Sequence, residues 1–535
     1  MIKHNILLFS LLLITVLSCG ENNGHLKRNL TELPEFAQEK HRPLIHFSPE
    51  EAWMNDPNGM VYYEGEYHLF FQYYPDSTVW GPMHWGHAVS TDLVHWEKLP
   101  IALYPDELGY IFSGSAVIDW NNTTGLQEGE HPPMIAVFTH HEPNGEKEEG
   151  NNTFQYQSIA YSLDKGRSWT KYEGNPVVPN PGIRDFRDPK VSWNEATKEW
   201  FMIFAAADRI RIYTSPNLID WQYESEFGAE LGGHGGVWEC PDLFELKVEG
   251  SDESKWVMLV SINPGGPNGG SATQYFVGDF DGKTFTTEQT ETLWLDHGRD
   301  NYAGVTWSDV PKEDGRRLFM GWMSNWDYAQ VVPTENWRSA MTLPRSLHLK
   351  KFDRQFIVQS KPVKELEALE TEKIVDFENY RSDVNDMFVM TRGSDDNGSN
   401  IYLTPPYKIE IQFNLEDTEG IMHGIELQNH EEETYNLVFQ EGVVLSDRSF
   451  TGDHSFSEKF SSTSRGVIPD YSSKEKLKVE FYVDQSSIEV FINDGELVLT
   501  EILFPKVPFH EALVKGINGN IKWDYFKATE LKTIW

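Results

Sequence analysis

Three acidic residues, each within a short segment of turn-forming residues, are the candidates for chemistry in this sequence. They are Asp56 in Trp53-Met-Asn-Asp-Pro-Asn-Gly59, Asp188 in Arg184-Asp-Phe-Arg-Asp-Pro189 and Glu239 in Val237-Trp-Glu-Cys-Pro-Asp242. Each segment taken alone could equally be a plain turn or hold a structural ion pair. A pair of carboxyl groups is what glycosidic cleavage requires, because one attacks or activates water and the other protonates the leaving oxygen.

The neighbours of two of these acids suggest different roles. Arg187 precedes Asp188 and would favour the ionised form of its carboxyl group. Trp238 and the neutral thiol of Cys240 flank Glu239, and such weakly polar surroundings suit a general acid. The three acids can act together only if the fold brings them to one cavity.

The elements that must position them are short β-strands. From about Ile45 to Lys350 the sequence is a series of β-rich runs broken by Gly, Pro, Asn and Asp, with almost no helical period. One phrase recurs there, and each copy combines a strand, a tight Asp or Asn turn and an aromatic residue. The copies are Ala88–Trp96, Ala160–Trp169, Ile212–Trp221 and a weaker one at Val277–Phe285. This spacing predicts one copy per blade of a five-bladed β-propeller, although unrelated hairpins with similar turns would give the same pattern.

A second β-rich region follows. We expect the propeller over residues 43–350, a linker over 351–372 with a charged segment near Lys361 to Glu372 that could form a helix, and a β-sandwich over 373–535. The sandwich is predicted because its strands alternate between apolar and polar residues, so that one face of each is buried. The clearest strands are Lys408–Phe413, Tyr435–Phe439, Lys476–Val483 and Ser487–Ile492, and Asn493-Asp-Gly495 marks a hairpin turn before Leu497–Leu499.

Composition excludes several classes of partner. The chain has 535 residues, with 45 Lys and Arg against 83 Asp and Glu, for a net charge of −38. Such a charge repels nucleic acids and anionic lipid surfaces, so a neutral partner fits best. Aromatic residues make up 13% of the chain, which suits either a large core or surfaces that stack on sugars.

The first residues predict export. Residues 1–18 carry an early Lys3 and an apolar run from Ile6 to Leu17, which has the length of a signal peptide. Val16-Leu-Ser-Cys19 resembles a bacterial lipobox, so we expect Cys19 to be lipidated and residues 19–42 to form a tether to a cell-envelope membrane. The alternative is a plain cleaved signal peptide. Cys240 is the one remaining cysteine, so the mature chain has no intramolecular disulfide and no thiol-rich metal cluster.

The motifs resemble those of glycoside hydrolase family 32, the group of invertases, exo-inulinases and levanases. The resemblance runs from about Ile45 to Leu347, and Ser487–Gly495 is similar to a characteristic strand of the family's second domain. Six motifs follow the family's order: Trp53–Gly59, Phe71–Pro75, Trp80–Gly81, Phe112–Ser115, Arg187–Pro189 and Glu239–Pro241. The resemblance implies an exo-acting β-fructosidase that releases terminal fructose from fructans (levan or inulin) or sucrose and uses no cofactor or metal.

The resemblance also implies roles for individual residues. Asp56 matches the nucleophile, Glu239 the acid/base, and Asp188 an acid that binds ring hydroxyls and stabilises the transition state. The mechanism would retain configuration, which requires the carboxyl groups of Asp56 and Glu239 to lie about 5–5.5 Å apart. Positions that match the family around the first sugar, and are expected to bind it, are Asn55, Gln72, Trp80, Phe112, Ser113, Arg187 and Trp322.

One departure and several alternatives stay open. The family often has Asp-Phe-Tyr-Ala where this chain has Asp300-Asn-Tyr-Ala303, and the asparagine could change the wall of the pocket and the substrate preference. A fructosyltransferase shares the fold and the covalent intermediate, an arabinan-cleaving enzyme shares the propeller, and a non-catalytic fructan-binding lipoprotein could use the same scaffold. Fructans are favoured over sucrose because a tethered, exported enzyme meets polymers outside the cell. The oligomeric state is left open.

Overall fold

The computed structural model describes residues 32–353, 355–381, 387–389, 393–394, 400–416 and 421–535. The predicted signal peptide and Cys19 lie outside the described residues. Within the described ranges, no helix is both long and apolar enough to span a bilayer.

The predicted five-bladed propeller is confirmed, because five sheets of four or five strands follow one another along the chain. Blade 1 contains β1 (Ala52–Tyr63), β2 (Glu66–Tyr74), β3 (His84–Ser90) and β4 (Glu97–Leu103), and blade 2 contains β5 (Tyr110–Ile118), β6 (Met134–His141), β7 (Gln155–Ser162) and β8 (Thr170–Lys171). Blade 3 contains β9 (Phe186–Asn194), β10 (Glu199–Ala206), β11 (Ile210–Ser215) and β12 (Gln222–Phe227).

The last two blades close the ring. Blade 4 contains β13 (Val237–Lys247), β14 (Ser254–Asn263), β15 (Ala272–Phe280), β16 (Phe285–Thr286) and β17 (Leu293–Trp294). The following strands are β18 (Tyr302–Thr306), β19 (Arg317–Met323), β20 (Trp337–Arg338), β21 (Ala340–Met341), β22 (Arg345–Phe352) and β23 (Gln355–Pro362). All of these belong to blade 5 except β20, which pairs in parallel with β1 and so joins the end of the propeller to its beginning.

The repeated phrase of the sequence corresponds to one position in each blade. Its four copies begin in the third strands β3, β7, β11 and β15 and continue into the turn that follows. Asp92 accepts a hydrogen bond at 2.9 Å from the backbone N–H of Val94, and Asn217 accepts one at 3.1 Å from that of Ile219. These Asx turns explain why a short polar residue recurs there.

The C-terminal region is a β-sandwich of two six-stranded sheets. One sheet has the order β24 (Glu370–Arg381), β37 (Lys522–Leu531), β28 (Tyr407–Asn414), β33 (Lys476–Val483), β34 (Ser487–Ile492) and β35 (Leu497–Ile502). The other has the order β25 (Met387–Val389), β36 (Glu511–Ile517), β29 (Met422–Gln428), β30 (Thr434–Gln440), β31 (Val443–Phe450) and β32 (Thr463–Val467), and β26 (Gly393–Ser394) pairs with β27 (Asn400–Ile401). The hairpin turn is present, with positive φ at Asn493 (49°), Asp494 (56°) and Gly495 (79°).

Two expected boundaries differ from the structure. The propeller continues past residue 350, because β23 pairs with β22 along its whole length, and a 3₁₀ helix at Lys364–Leu369 then leads directly into β24. The expected tether is folded over its described part: Ala37 is buried, and the Arg42 guanidinium lies 4.4 Å from the centre of the Trp337 ring. Other short helices are α1 (Pro143–Lys147) and 3₁₀ turns at Glu35–Gln38, Ala329–Val331 and Tyr471–Ser473.

Buried charges join the propeller to the sandwich. Arg345 of the propeller donates to Glu489 of the sandwich at 2.6 Å. Arg448 of the sandwich donates to Asp300 of the propeller at 2.5 Å and lies 3.0 Å from Glu501. A charge buried in this way is tolerated only when it is paired, so the two domains hold each other in one arrangement.

Candidate active site

The first strand of every blade contributes to one central ring. The strands β1, β5, β9, β13 and β18 contact one another in succession, and β18 contacts β1. Each of the five has a break in register in its pairing with the second strand of its blade. The breaks fall at Asn55-Asp56, Phe112-Ser113, Asp188-Pro189, Cys240-Pro241 and Ala303-Gly304. A bulge redirects the side chains around it, so these irregularities aim polar groups at the centre instead of along the sheet.

The ring opens into a cavity of about 310 Å³, near the lower end of the usual range for small-ligand sites, about 300–1,000 Å³. Its walls combine carboxyl, amide and guanidinium groups with aromatic rings. The lining residues are Asn55, Asp56, Gln72, Trp80, Phe112, Ser113, His141, Glu146, Gln155, Asp185, Arg187, Asp188, Glu239, Asn263, Trp326 and Gln330. All three acids selected from the sequence therefore face the same cavity.

Three donors hold the carboxyl group of Asp56. Ser113 Oγ donates to Oδ2 at 2.7 Å, Asn55 Nδ2 donates to Oδ1 at 3.0 Å, and the Cys240 thiol lies 3.4 Å from Oδ2. Trp53 fixes the amide of Asn55 by donating to its oxygen at 2.7 Å. Burial and the charge of Glu239 raise the pKa of Asp56, and the three donors oppose that rise because they favour the carboxylate.

Two donors orient the carboxyl group of Glu239. Arg187 donates to Oε1 from Nε at 3.2 Å and from Nη2 at 3.0 Å. The hydroxyl of Tyr302 donates to Oε2 in a short hydrogen bond. A fork on one oxygen and a phenol on the other restrict rotation of the carboxyl group, so its position in the cavity is fixed.

Asp188 is the most enclosed of the three acids, with 5% of its surface exposed. Its backbone has a positive φ of 67°, and its Oδ2 accepts a hydrogen bond at 3.0 Å from the backbone N–H of Cys240. Burial raises the pKa of Asp188 to about 7, and the charges of Glu239 and Asp56 act in the same direction. A strained backbone with a perturbed carboxyl group in a cavity is typical of a functional site.

Of two expectations about neighbouring residues, one holds in direction only and the other is wrong. Arg187 favours the ionised form of Asp188, as expected, but it lies 3.9 Å from Asp188, against 3.0 Å from Glu239, and burial outweighs its effect on the pKa of Asp188. Trp238 does not surround the Glu239 carboxyl group, because adjacent residues of a strand point to opposite faces. The Trp238 ring instead stacks on His234 at 5.3 Å and donates to the carbonyl oxygen of Gly233.

Six of the seven residues expected to bind the first sugar line the cavity, namely Asn55, Gln72, Trp80, Phe112, Ser113 and Arg187. Gln72 is 2% exposed and its Nε2 has no hydrogen-bond partner, which leaves a donor available to a ligand. Trp322 is placed differently. It is fully buried behind Trp326, with ring centres 5.0 Å apart, and Trp326 lines the cavity.

The departure at Asn301 does not alter the cavity wall. Its side chain is buried and donates to Asp296 at 3.1 Å, in the charged network that faces the sandwich. Asp300 also pairs with the sandwich, through Arg448, whereas Tyr302 turns toward Glu239. The expected effect on the pocket wall is therefore wrong, because Asn301 and Tyr302 point in opposite directions.

The sequence did not single out several lining residues. His141, Glu146, Gln155, Asp185, Asn263, Trp326 and Gln330 belong to this group. Asp185 lies in the same segment as Asp188 and could have been found from that proximity, but Glu146 lies in a charged stretch that resembles a solvated loop. Within the described ranges, no group of three or more His, Cys, Asp or Glu side chains is arranged to hold a metal ion.

Comparison with known proteins covers almost the whole chain. The model of the glycosyl hydrolases family 32 N-terminal domain matches residues 46–361, and that of the family 32 C-terminal domain matches residues 366–529. A levanase of Bacillus subtilis is 47% identical over 517 residues, which are 94% of this chain and 72% of the levanase. An extracellular exo-inulinase of Aspergillus awamori is 37% identical over 91% of this chain and 94% of its own length.

Solved structures agree with these matches. A crystal structure of the exo-inulinase from Aspergillus awamori has a TM-score of 0.83 at 35% identity, covering 93% of this chain and 99% of that one. A fructofuranosidase from Schwanniomyces occidentalis, solved with fructose, has a TM-score of 0.82 at 32% identity, covering 94% of this chain and 100% of that one. With both domains matched in order and over nearly their full length, the chain belongs to glycoside hydrolase family 32.

Proposed function

We propose that this protein is a retaining, exo-acting β-fructosidase in which Asp56 is the nucleophile and Glu239 the acid/base. Fructan hydrolysis follows from its family and from the levanase and exo-inulinase among its relatives. The observation that supports the residue roles is the convergence of three acids in one cavity, each with a different set of partners. Hydrogen-bond donors surround the carboxyl group of Asp56, and Arg187 and Tyr302 orient that of Glu239. Burial is the main cause of the raised pKa of Asp188.

In the first step, Glu239 donates a proton to the glycosidic oxygen while a carboxylate oxygen of Asp56 attacks C2 of the terminal fructose. The C2–O bond to the leaving sugar breaks, and an ester between C2 and Asp56 forms. In the second step, Glu239 removes a proton from water, which attacks C2 and releases Asp56 as a carboxylate. Two displacements at C2 retain its configuration.

The other lining groups suit a binding role. Amide groups of Asn55 and Gln72 can donate to and accept from sugar hydroxyls, and the indole rings of Trp80 and Trp326 provide apolar walls. In this proposal Asp188 accepts hydrogen bonds from ring hydroxyl groups, and these bonds strengthen as charge develops on the sugar ring.

Product analysis tests the activity and its mode. Levan, inulin and sucrose are incubated separately with the protein, and products are followed by chromatography from the earliest times. Free fructose without intermediate oligomers is the expected result, and the fastest substrate identifies the preferred linkage. Oligomers that appear first would contradict exo action, and longer oligomers at high sucrose would indicate transfer to sugar instead of water.

Two variants test the residue roles. Asp56→Asn keeps the shape of the side chain but removes the nucleophile, so activity on every fructoside should fall by about 10⁴-fold or more, because no ester can form. Glu239→Ala should be inactive on sucrose, because the leaving sugar is not protonated, but it should still form the ester from an activated aryl β-D-fructofuranoside. With that substrate, azide should restore turnover by attacking the ester to give a fructosyl azide of retained configuration. Full activity of Asp56→Asn would refute the nucleophile assignment, and an azide of inverted configuration would refute the acid/base assignment.

Export agrees with the extracellular relatives, and we further propose that Cys19 carries a lipid anchor in the bacterial cell envelope. The Val16-Leu-Ser-Cys19 pattern supports it. Mass spectrometry of the mature N-terminus should find a lipidated cysteine, and Cys19→Ala should release the enzyme from the membrane fraction. An unmodified N-terminus at another residue would contradict the anchor.

A further inference from the structure

Glu146, which lies on the short helix α1, has no role in the mechanism above. Helix α1 follows β6, and its Glu146 lines the cavity while 40% of the side chain remains exposed. Oε2 of Glu146 lies 3.2 Å from Nε2 of His141, a residue that is 3% exposed. Oε1 lies 3.6 Å from the Arg184 guanidinium, beyond hydrogen-bond range, so it keeps its capacity to accept from a ligand.

The orientation of His141 follows from its neighbours. Gln155 Oε1 accepts from the backbone N–H of Phe186 at 2.9 Å, so its Nε2 is the group 3.2 Å from His141 Nδ1. Burial lowers the pKa of His141 to about 4, so the ring is neutral at ordinary pH and carries one proton. Nδ1 accepts from Gln155, and the proton therefore lies on Nε2, which is 3.2 Å from Oε2 of Glu146 but is not aligned for a hydrogen bond. Phe112 stacks on the ring at 4.3 Å and keeps it in this orientation.

This arrangement lies on the side of the cavity that belongs to the acid/base. Arg187 contacts Glu239 at 3.0 Å and also approaches Oε1 of Gln155 at 3.4 Å. In a retaining reaction the nucleophile and the acid lie on opposite faces of the sugar, and the leaving group departs on the side of the acid. The sugar that leaves must therefore occupy the part of the cavity next to Glu239, where Gln155, His141 and Glu146 follow one another toward the rim.

We propose that Glu146 determines specificity by accepting hydrogen bonds from the hydroxyl groups of the leaving sugar, and that His141 is the positioning residue that holds it. This inference rests on the proposed function. A carboxylate forms stronger hydrogen bonds to hydroxyl groups than a neutral acceptor does, and a fructoside whose leaving group has no hydroxyls cannot use them. Glu146 thus favours oligomeric and polymeric substrates over simple fructosides.

The test compares substrates that differ in the leaving group alone. Inulin and levan carry a leaving sugar, whereas methyl β-D-fructofuranoside has the same terminal fructose and the same need for protonation but no leaving sugar. For Glu146→Ala, the ratio of kcat/KM on fructan to kcat/KM on the methyl fructoside should fall about tenfold or more. Glu149→Ala removes the same charge from the same exposed segment but lies outside the lining residues, so it is the matched control.

His141→Ala should lower the same ratio through an increased KM for fructan, because Glu146 loses its fixed position. An unchanged ratio in Glu146→Ala, or an equal fall in Glu149→Ala, would overturn the proposal. Failure of the proposed function has a different signature, since the unmodified protein would then release no fructose from any of the three substrates.

Discussion

Replacing Tyr302 with phenylalanine would remove one hydroxyl group, the donor to Oε2 of Glu239. A hydrogen bond to a charged partner contributes about 1.5–3 kcal/mol. At about 1.4 kcal/mol per factor of ten, its loss should lower kcat/KM on sucrose or fructan by about 10- to 150-fold. The ring of Tyr302 is 1% exposed and contacts that of Trp322 edge to face, so phenylalanine fills the same space and the fold is retained.

The assay separates positioning of Glu239 from a general structural defect. An activated aryl β-D-fructofuranoside has a leaving phenolate that needs little protonation, and kcat/KM reports the step in which the C2–O bond breaks. Tyr302→Phe should therefore lose activity on sucrose and stay within about threefold of the unmodified protein on the aryl substrate. Tyr275→Phe is the matched control, because Tyr275 is equally buried but its hydroxyl contacts the backbone of Val358 in another part of the propeller. Equal losses on both substrates, or none on either, would refute the reasoning.

Further predictions concern stability. Because the pKa of Asp188 is raised from 3.8 to about 7, its contribution to stability is complete below pH 4 and is lost as pH rises through 7. Ionisation of Asp188 should lower the free energy of unfolding by about 3 kcal/mol between pH 5 and pH 8. Urea titrations should show a smaller decrease in Asp188→Asn, and an identical pH dependence in the variant would contradict the assignment. Arg448→Met leaves Asp300 and Glu501 buried without their cation, so it should destabilise the protein by about 3–5 kcal/mol in the same assay. Lys459→Met removes an exposed ion pair with Asp327 and should cost less than about 1 kcal/mol, and similar losses in both variants would show that burial does not govern them.

Much of the architecture was predictable because it depends on local patterns. The recurring phrase marks the third strand and turn of each of four blades, since an Asx turn needs a short polar residue at a set position. The fifth blade has no copy, and its existence followed from the length of the region. The alternation of apolar and polar residues predicted the sandwich, because one face of each strand is buried.

The boundary between the domains was not predictable in this way. Strand β23 lies within the segment that was expected to be a linker, but it pairs with β22 and so extends blade 5 to Pro362. The charged pairs across the interface, such as Arg345 with Glu489, join residues more than 100 positions apart. Local sequence carries no information about such pairings.

The three acids, which lie on the first strands of blades 1, 3 and 4, and six further residues that line the cavity were predictable from the sequence, because they occur in short motifs of fixed composition. Three features depended on the tertiary structure: Arg187 lies closer to Glu239 than to Asp188, Trp322 lies behind Trp326, and Glu146 reaches the cavity from helix α1. The physical reason is that a motif specifies the local backbone and one side chain. The closing of five blades into a ring specifies which side chains from distant segments meet and which carboxyl groups lose their contact with water.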